Sequence, residues 1–345
     1  MPETPLLSFV MVAYKQERFI REAVEGAFAQ TYSPLEIIIS DDCSPDRTFD
    51  IIKEMAAVYR GPHKIILSRN ENSLGLCGNL NKALELTSGE LIVGAAGDDI
   101  SLPHRCERIA DEWMRPGRRW HSICSGAEII DEFGSRRGAY LNPHSYREIN
   151  SVDQMLESGI VGISGCAHAF SRKTFDLFGA IDPRSFGEHD LLGFRSLILG
   201  GVCWIPDRLI LYRRHAENLF NDARDIQKMS RANRKQLLEK YYRDCILGER
   251  IRDDTLRLAA EKGILAPEKA EYYISALRRS FPMLQFIIVY NRRWNSAVIW
   301  MIRAIIAGKY RPGMFSLFEE SHLPNWLRRI LRFCRKPLMP HRGHV

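Results

Sequence analysis

The chain has 345 residues, of which 45% are hydrophobic and 26% are charged, and this balance is typical of a globular protein and excludes general disorder. Its eight cysteines are dispersed, without a Cys-x-x-Cys pair, which argues against a zinc site or disulfide framework and predicts a reducing compartment. The net charge of +7 is uneven, because residues 1–215 carry 24 Lys and Arg against 29 Asp and Glu, and residues 216–345 carry 25 against 13. A basic half of this kind suggests a membrane or polyanion partner.

The first hundred residues predict strands that alternate with helices. Short apolar runs indicate buried strands, and apolar residues at helical spacing indicate helices. In chain order, the predicted elements are strand 6–13, helix 14–30, strand 35–40, helix 48–59, strand 63–67, helix 79–87 and strand 91–96. Further strands are predicted at 123–130, 197–205 and 206–211. Such alternation is typical of an α/β fold with a mainly parallel sheet.

Polar residues follow three of these strands directly. Tyr14 comes after the first strand, Asp41 and Asp42 after the second, and Asp98 and Asp99 after the fourth. Ligands of open α/β sheets bind outside the carboxyl ends of the strands, so we expect these residues to share one edge. Mg²⁺ and Mn²⁺ prefer oxygen ligands, and Mg²⁺ sites often pair one or two carboxylates with substrate phosphates. The pattern therefore predicts a site for a divalent cation.

Each acidic pair also has a plainer interpretation. The pair at 98–99 fits an acidic turn before a helix that begins near Pro103, and the pair at 41–42 fits turn and N-cap residues before Thr48. The chain has no G-x-G-x-x-G after its first strand and no G-x-x-x-x-G-K-[ST] motif. It therefore lacks the fingerprint of a dinucleotide-dependent oxidoreductase and that of a P-loop protein.

Taken in order, the motifs between Ser8 and His215 resemble those of family 2 glycosyltransferases, which have the GT-A fold. They are Tyr14 after the first strand, Asp41-Asp-Cys-Ser44 after the second, Asn72-x-x-Gly75, Gly89-Glu90, Gly97-Asp-Asp99, Pro103-x-Arg105, Glu188-His-Asp190 and Tyr212-Arg-Arg-His215. Each motif alone is unspecific, and the resemblance rests on their number and order.

The resemblance implies an inverting transfer of a sugar from a nucleotide-diphosphate donor to a hydroxyl of a saccharide or lipid-linked saccharide, in polysaccharide or glycan synthesis. It implies a divalent cation, Mn²⁺ or Mg²⁺, held by Asp99 under the diphosphate. We place His215 at the metal or the diphosphate, and a solvated basic turn is the alternative for this residue. Tyr14 and Asp41 are expected at the nucleobase and Asp98 near the ribose. The full set of implied donor-binding residues is Ala13, Tyr14, Asp41, Asp42, Asn79, Asp98 and Arg105. A turn or capping role stays open for Asn79.

The catalytic base is predicted in Glu188-His189-Asp190. An inverting transfer needs a general base that takes the proton of the acceptor hydroxyl, and the family has Glu-Asp at this point. Alignment on Glu188 and Arg195 puts His189 in the place of the base, whereas a shift of one residue puts Asp190 there. We favour Asp190 and keep His189 as the alternative, since the unperturbed pKa of imidazole lies near neutrality.

The chain changes character after the predicted catalytic domain, residues 1–217. Residues 218–345 are predicted to form a basic helical region, and none of its apolar stretches reaches the length of about 18 residues needed to span a membrane. Apolar segments at 281–290 and 296–306 and a basic amphipathic helix at 326–336 favour peripheral attachment to an anionic membrane surface. A helical subdomain or a dimer interface is the alternative. We expect no nucleic-acid partner, because no recognised module accompanies the charge.

Two other functions stay open. A nucleotidyltransferase on a related α/β fold would consume a nucleoside triphosphate and release pyrophosphate. The second alternative is a sugar-nucleotide-binding scaffold protein without a working base. It would explain why this chain has His189 where the family pattern has an aspartate. No signal-peptide pattern precedes the first strand, so we expect a cytoplasmic protein. If it attaches to a membrane, we expect it on the inner face of the cell membrane as a peripheral protein.

Overall fold

A computed structural model describes residues 4–117, 119–140, 147–158, 163, 165–185, 187–218 and 247–280. The strands are β1 (Leu7–Ala13), β2 (Leu35–Asp41), β3 (Lys64–Arg69), β4 (Leu91–Ala96), β5 (Ile100–Ser101), β6 (Ser122–Ile130), β7 (Arg136–Tyr140), β8 (Arg147–Ile149), β9 (His168–Ser171) and β10 (Val202–Arg213). The helices are α1 (Ile20–Phe28), α2 (Thr48–Val58), α3 (Gly75–Glu85), α4 (Arg105–Met114), α5 (Val152–Ser158), α6 (Lys173–Asp176), α7 (Glu188–Leu199), α8 (247–261) and α9 (Pro267–Ser280).

The strands form one mixed sheet in the order β3-β2-β1-β4-β9-β6-β10-β5, with β7 beside β6 and β8 beside β10. The strands β1 to β4 run parallel to one another. Because β9 is antiparallel to both β4 and β6, and β10 is parallel to β6, the carboxyl ends of β1, β2, β4, β6 and β10 lie at the same edge. This confirms the α/β fold with a mainly parallel sheet.

The helices cover both faces of the sheet. Alternate residues of β1 point to opposite sides, so Phe9 and Met11 belong to a core shared with α1, α2 and α4, whereas Val10 belongs to a core shared with α3 and α7. A strand buried on both faces needs an unbroken apolar sequence, which is why residues 7–13 contain almost only apolar side chains. The result is a three-layer domain whose loops are free to form a site at one edge.

One prediction for the later part of the chain was wrong. Residues 197–199 complete α7 instead of beginning a strand, and residues 202–213 form one continuous strand in place of two. Pro206 interrupts the ladder of β10, where the register with β6 shifts between Trp204 and Arg208. A proline lacks the N–H that a ladder needs, and it is tolerated at such a bulge.

The helix α8 and residues 267–277 of α9 belong to the same compact unit as the sheet. The hydroxyl of Tyr273 in α9 donates to Asp153 of α5 at 2.7 Å, and the Lys269 ammonium lies 3.3 Å from the same carboxylate. The domain boundary at 217/218 stays a prediction. The predicted membrane-binding segments 281–290, 296–306 and 326–336 lie outside the described residues. Within the described part of the chain, no helix has both the length and the apolar composition needed to cross a membrane.

Candidate active site

The ends of β1, β2 and β4 bring the predicted acids to one edge. Ala13 at the end of β1 is in register with Asp41 at the end of β2. The N–H of Asp42 donates to the carbonyl of Ala13 at 2.9 Å, and the N–H of Gly97 donates to that of Val12 at 3.0 Å. Because neighbouring strands lie about 4.8 Å apart, the two acidic turns after β2 and β4 flank the end of β1.

Asp41 is buried and keeps one oxygen free for a ligand. Its Oδ2 accepts from the N–H of Ser44 at 2.9 Å and lies 3.5 Å from Nε of Arg69. Its Oδ1 is buried without a hydrogen-bond partner among the described residues. A buried acceptor left without a donor costs about 1–3 kcal/mol. An N–H group of a bound molecule would remove that cost.

Asp42, by contrast, is fully engaged inside the protein. Its Oδ1 accepts from Asn70 Nδ2 and the N–H of Leu74, each at 2.8 Å. Its Oδ2 accepts from the Ser73 hydroxyl at 2.8 Å and the N–H of Gly75 at 2.9 Å. These four bonds hold the loop that leads into α3, so the contacts of Asp42 support a structural role.

Asn79 lies beneath the same loop. It accepts from the Ser40 hydroxyl at 2.6 Å and from Asn70 at 3.0 Å, and it donates to the Ser40 carbonyl at 3.1 Å. Its side chain is buried and the residue lies inside α3, so these contacts join α3 to the end of β2 and are not those of a turn or capping residue.

Tyr14 directly follows β1 at this edge of the sheet, and 43% of its surface is exposed. The next residue, Lys15, has a φ of 55°, and Cys43 in the facing loop has a φ of 59°. The two loops are joined by the N–H of Lys15, which donates to the Ser44 hydroxyl at 2.9 Å. Left-handed backbone at residues other than glycine is strained and concentrates at functional sites. The strain here is held on both sides of Asp41, beside a partly exposed aromatic ring over which the Lys15 ammonium lies 5.1 Å from the ring centroid.

The two acids after β4 have different surroundings. Asp98 Oδ2 lies 3.1 Å from His215 Nε2, and the His215 ring packs on Phe19 with 4.6 Å between ring centroids. Asp99 is more deeply buried and accepts the N–H of Arg213 at 2.8 Å. Burial, together with the neighbouring charge of Asp98, raises the pKa of Asp99 well above its ordinary value, while the bond from Arg213 acts in the opposite direction.

Arg213 holds this turn in place. Its side chain is fully buried at the end of β10. Besides the backbone bond to Asp99, its Nε donates to the carbonyl of Asp98 at 3.0 Å, and a terminal nitrogen donates to Glu22 of α1 at 2.8 Å. A planar guanidinium can make several such bonds at fixed angles. The sequence analysis did not identify this role, because a basic residue at a strand end is indistinguishable from a solvated one.

Arg105 is also buried and bonded within the protein. It donates to the Ser101 hydroxyl at 2.8 Å and to the carbonyls of Gly94 and Cys166 at 2.6 and 2.9 Å. Burial lowers the pKa of this guanidinium. Its contacts connect β4 to the segment before β9, its Nε is buried without a hydrogen-bond partner among the described residues, and its role in donor binding stays a prediction.

The start of α7 lies next to that segment. The Glu188 carboxylate lies against Gly165, where a side chain larger than hydrogen would collide with it. Glu188 Oε1 is 3.7 Å from His189 Nδ1, and both side chains are largely buried. Asp190 is different, because 70% of its side chain is exposed and its carboxylate is 4.0 Å from His189 Nε2.

The contact between Glu188 and His189 shifts both groups toward their charged forms. Burial alone would raise the pKa of Glu188, but the neighbouring imidazole brings it below its ordinary value. Burial alone would lower the pKa of His189, but the Glu188 carboxylate, helped by Asp190, brings it above its ordinary value. The contact thus favours the charged form of each group, a carboxylate and an imidazolium.

Comparison with known proteins assigns the family. Residues 8–178 match the sequence model of glycosyl transferase family 2. The chain belongs to this family. EpsE of Bacillus subtilis (strain 168), which carries the name of a glycosyltransferase, is 34% identical over 143 residues, or 41% of this chain and 50% of EpsE. The uncharacterized glycosyltransferase alr2836 of Nostoc sp. (strain PCC 7120) is 30% identical over 223 residues, or 61% of this chain and 66% of that protein. The chain thus matches between half and two thirds of the length of these relatives.

A solved structure confirms the GT-A fold of this family 2 glycosyltransferase. The crystal structure of S. aureus TarS 1-349 in complex with UDP-GlcNAc superimposes with a TM-score of 0.55 and covers 95% of this chain and 87% of that chain. Only 14% of the residues are identical, so the likeness concerns the fold alone.

The family 2 domain also contains a buried polar network that the sequence analysis did not predict. His168 in β9 is 2.7 Å from the Ser122 hydroxyl, which is 2.6 Å from that of Ser196 in α7. Burial, with His189 nearby, lowers the pKa of His168 to about 3, so this imidazole is neutral at physiological pH. Through Ser122, the neutral His168 side chain is linked to Ser196 and so holds α7 against the sheet.

The metal site at Asp99 and His215 stays a prediction. Within the described ranges, no three His, Cys, Asp or Glu side chains are grouped so that they could hold a metal ion by themselves. Asp98 and His215 are the acid and imidazole in direct contact, and Asp99 lies beside them in the chain but bonds to Arg213. Mg²⁺ sites often use one or two carboxylates together with substrate phosphates, and the carboxylates of Asp98 and Asp99 are of the type that such a site needs.

Proposed function

We propose that this protein is an inverting glycosyltransferase that moves a sugar from a nucleotide-diphosphate donor to a hydroxyl of a saccharide or lipid-linked saccharide. The observation that carries the proposal is the unpartnered Oδ1 of buried Asp41, which lies at the same sheet edge as the Asp98–His215 pair. At this edge, a hydrogen-bond acceptor for the nucleobase would lie on one side of the end of β1, and a cation-binding pair would lie on the other side. Family membership and the fold shared with UDP-GlcNAc-bound TarS support this reading.

The donor nucleotide is proposed to bind over the ends of β1 and β2. The partly exposed ring of Tyr14 would stack on the base on the side away from the Lys15 ammonium, and Asp41 Oδ1 would accept an N–H of the base. Aromatic stacking on a nucleobase tolerates any base, whereas a buried acceptor selects a base that carries an N–H at the right position. Asp41 is therefore the residue that we expect to discriminate among donors.

Asp98 and His215 are proposed to hold the divalent cation, Mn²⁺ or Mg²⁺. This differs from the predicted pair of Asp99 and His215, because Asp98 contacts His215 directly, whereas Asp99 already accepts the N–H of Arg213. When bound, such a cation neutralises the negative charge that develops on a leaving diphosphate. Asp99 and Arg213 then fix the turn on which Asp98 lies.

His189 is proposed as the general base, oriented by Glu188. The imidazole would take the proton of the acceptor hydroxyl as that oxygen bonds to the anomeric carbon, and the bond from this carbon to the diphosphate oxygen would break. The Glu188 carboxylate, 3.7 Å from Nδ1 of the ring, would stabilise the protonated imidazole by its negative charge. Asp190, favoured from the sequence, is the alternative, and its high exposure supports it less.

Binding and turnover measurements test the function. Thermal unfolding of the full chain would be followed with a panel of nucleotide sugars, with and without Mn²⁺, because a ligand of the folded state raises the unfolding midpoint by mass action. We expect cation-dependent stabilisation and release of a nucleoside diphosphate. Pyrophosphate released from a nucleoside triphosphate would indicate the nucleotidyltransferase alternative. Stabilisation without any turnover, with every acceptor tried, would indicate the scaffold alternative.

Peripheral attachment to an anionic membrane is proposed for the basic residues 216–345, with 25 Lys and Arg against 13 Asp and Glu. This placement suits an acceptor linked to lipid and a role in polysaccharide synthesis. Sedimentation with phosphatidylglycerol vesicles would compare the full chain with a truncation near residue 280. Equal, negligible binding of both would refute attachment.

A further inference from the structure

The turn between β6 and β7 presents an aromatic side chain to solvent on a rigid backbone. Phe133 is 83% exposed, more than any other large hydrophobic residue of the described ranges. Its N–H donates to Asp131 Oδ1 at 3.0 Å, and the N–H of Ser135 donates to the same oxygen at 2.9 Å. The N–H of Gly134 donates to the Asp131 carbonyl at 3.0 Å. These bonds hold the position from which Phe133 projects.

The same turn is tied to the acids of the candidate active site. A terminal nitrogen of Arg213 donates to the carbonyls of Asp131 and Glu132 at 3.3 and 3.4 Å. The backbone N–H and Nε of Arg213 hold Asp99 and Asp98. Since β6 ends at the same edge as β4, one buried guanidinium sets the turn beside the acids. Single exposed apolar residues are ordinary on protein surfaces, but this one is fixed at the rim of the site.

The charges around Phe133 are balanced. Arg18 lies 2.6 Å from Glu132, and Arg137 Nε donates to Asp131 at 2.9 Å. Arg136 in β7 similarly lies 2.9 Å from Glu128. Because each of these arginines has an acidic partner, the turn has no excess of cations to attract an anionic lipid surface or polyanion. The balance favours an uncharged ligand.

We propose that Phe133 is a stacking platform for an uncharged pyranose ring of the acceptor. A pyranose has one face of C–H groups, and these carry the partial positive charge that the negative face of an aromatic ring attracts. Phenylalanine offers this face without a polar group, while the paired side chains around it offer partners for the sugar hydroxyls. The inference rests on the proposed function, which it deepens by assigning the acceptor side of the site.

The test measures sugar binding to the full chain by ligand-observed saturation-transfer NMR, with cellobiose and maltose as uncharged probes. We expect Phe133→Ala to raise the dissociation constant of the better probe by about 3- to 10-fold. In Phe133→Tyr, the dissociation constant should stay within about twofold of the wild-type value. Tyr272→Ala is the matched control, because Tyr272 is an aromatic residue of α9 with 54% exposure, and it should leave sugar binding unchanged. Thermal unfolding checks that each variant is folded.

Three results would overturn the proposal. They are an unchanged dissociation constant in Phe133→Ala, no binding of either disaccharide to the wild type, and loss of phosphatidylglycerol-vesicle binding in Phe133→Ala with sugar binding intact. The last result would assign the turn to a membrane surface. Stabilisation by nucleotide sugars and Mn²⁺ is measured separately on the wild type. Its absence would refute the proposed function, and the Phe133 result would still stand as a sugar-binding result.

Discussion

His215 Nε2 lies 3.1 Å from Asp98 Oδ2, although 117 positions separate the two residues in the chain. The contact joins the end of β10 to the turn after β4. An imidazole nitrogen and a carboxylate oxygen are both good ligands for Mn²⁺, and Mg²⁺ accepts the carboxylate. The neighbouring Asp99 accepts the N–H of Arg213 at one of its oxygens.

Removal of either member of this pair should weaken cation binding. We expect His215→Ala and Asp98→Asn each to raise the Mn²⁺ concentration for half-maximal thermal stabilisation, at a fixed concentration of UDP, by about tenfold or more. The measurement is a thermal unfolding titration with MnCl₂. His104→Ala, at an exposed histidine just before α4, should leave the titration unchanged. Identical titrations for wild type and both variants would show that the cation binds elsewhere.

Asp41→Asn should weaken nucleotide binding with little loss of folded structure. The substitution keeps the shape of the side chain but replaces a charged acceptor, and hydrogen bonds to charged groups contribute about 1.5–3 kcal/mol. We therefore expect the affinity for UDP with Mn²⁺ to fall by about tenfold or more in isothermal titration calorimetry. Asp50→Asn, at an exposed acid of α2, is the control. An unchanged affinity would mean that Asp41 does not contact the base.

Asp42→Ala should act on stability. The substitution leaves two backbone N–H groups and two side-chain donors without their shared acceptor, so we expect a loss of about 3 kcal/mol in the free energy of unfolding. Urea denaturation measures this loss. Asp50→Ala, with 57% of the side chain exposed, should change the same quantity by less than about 0.5 kcal/mol. A loss equally small for Asp42→Ala would contradict the structural role.

The sequence predicted the first half of the fold well because its strands are long apolar runs that the helices interrupt regularly. The segment at 197–199 was assigned wrongly, since a short apolar run fits a buried helix as well as a strand. The acids at the sheet edge could be predicted from the topology alone. The role of Arg213 could not, because the carboxylate that it binds lies 114 positions away. The different tasks of Asp41 and Asp42 likewise depend on which loop each one faces.

The Glu188–His189 pair has consequences for stability at different pH values. Because the pKa of Glu188 is lowered, the stability that this group contributes to the fold is present above about pH 4.3, its ordinary pKa. That stability is lost as the pH falls through the lowered pKa. Because the pKa of His189 is raised, the stability that this group contributes is present below about pH 6.5, its ordinary pKa. It is lost as the pH rises through the raised pKa. The pair should therefore stabilise the fold most between these two ordinary values.

Glu188→Gln should move the pH dependence of transfer to lower pH. If His189 is the base, it acts only when neutral, so kcat/KM of the wild type should rise with pH through the raised pKa of His189. Loss of the carboxylate removes the main cause of that raised value, and the inflection should then lie closer to about 6.5. The pH profile of nucleoside diphosphate release measures both. Asp190→Asn, which alters an exposed and more distant carboxylate, should shift the inflection less. A loss of at least about 100-fold in kcat for Asp190→Asn, with His189→Ala retaining near-normal turnover, would assign the base to Asp190.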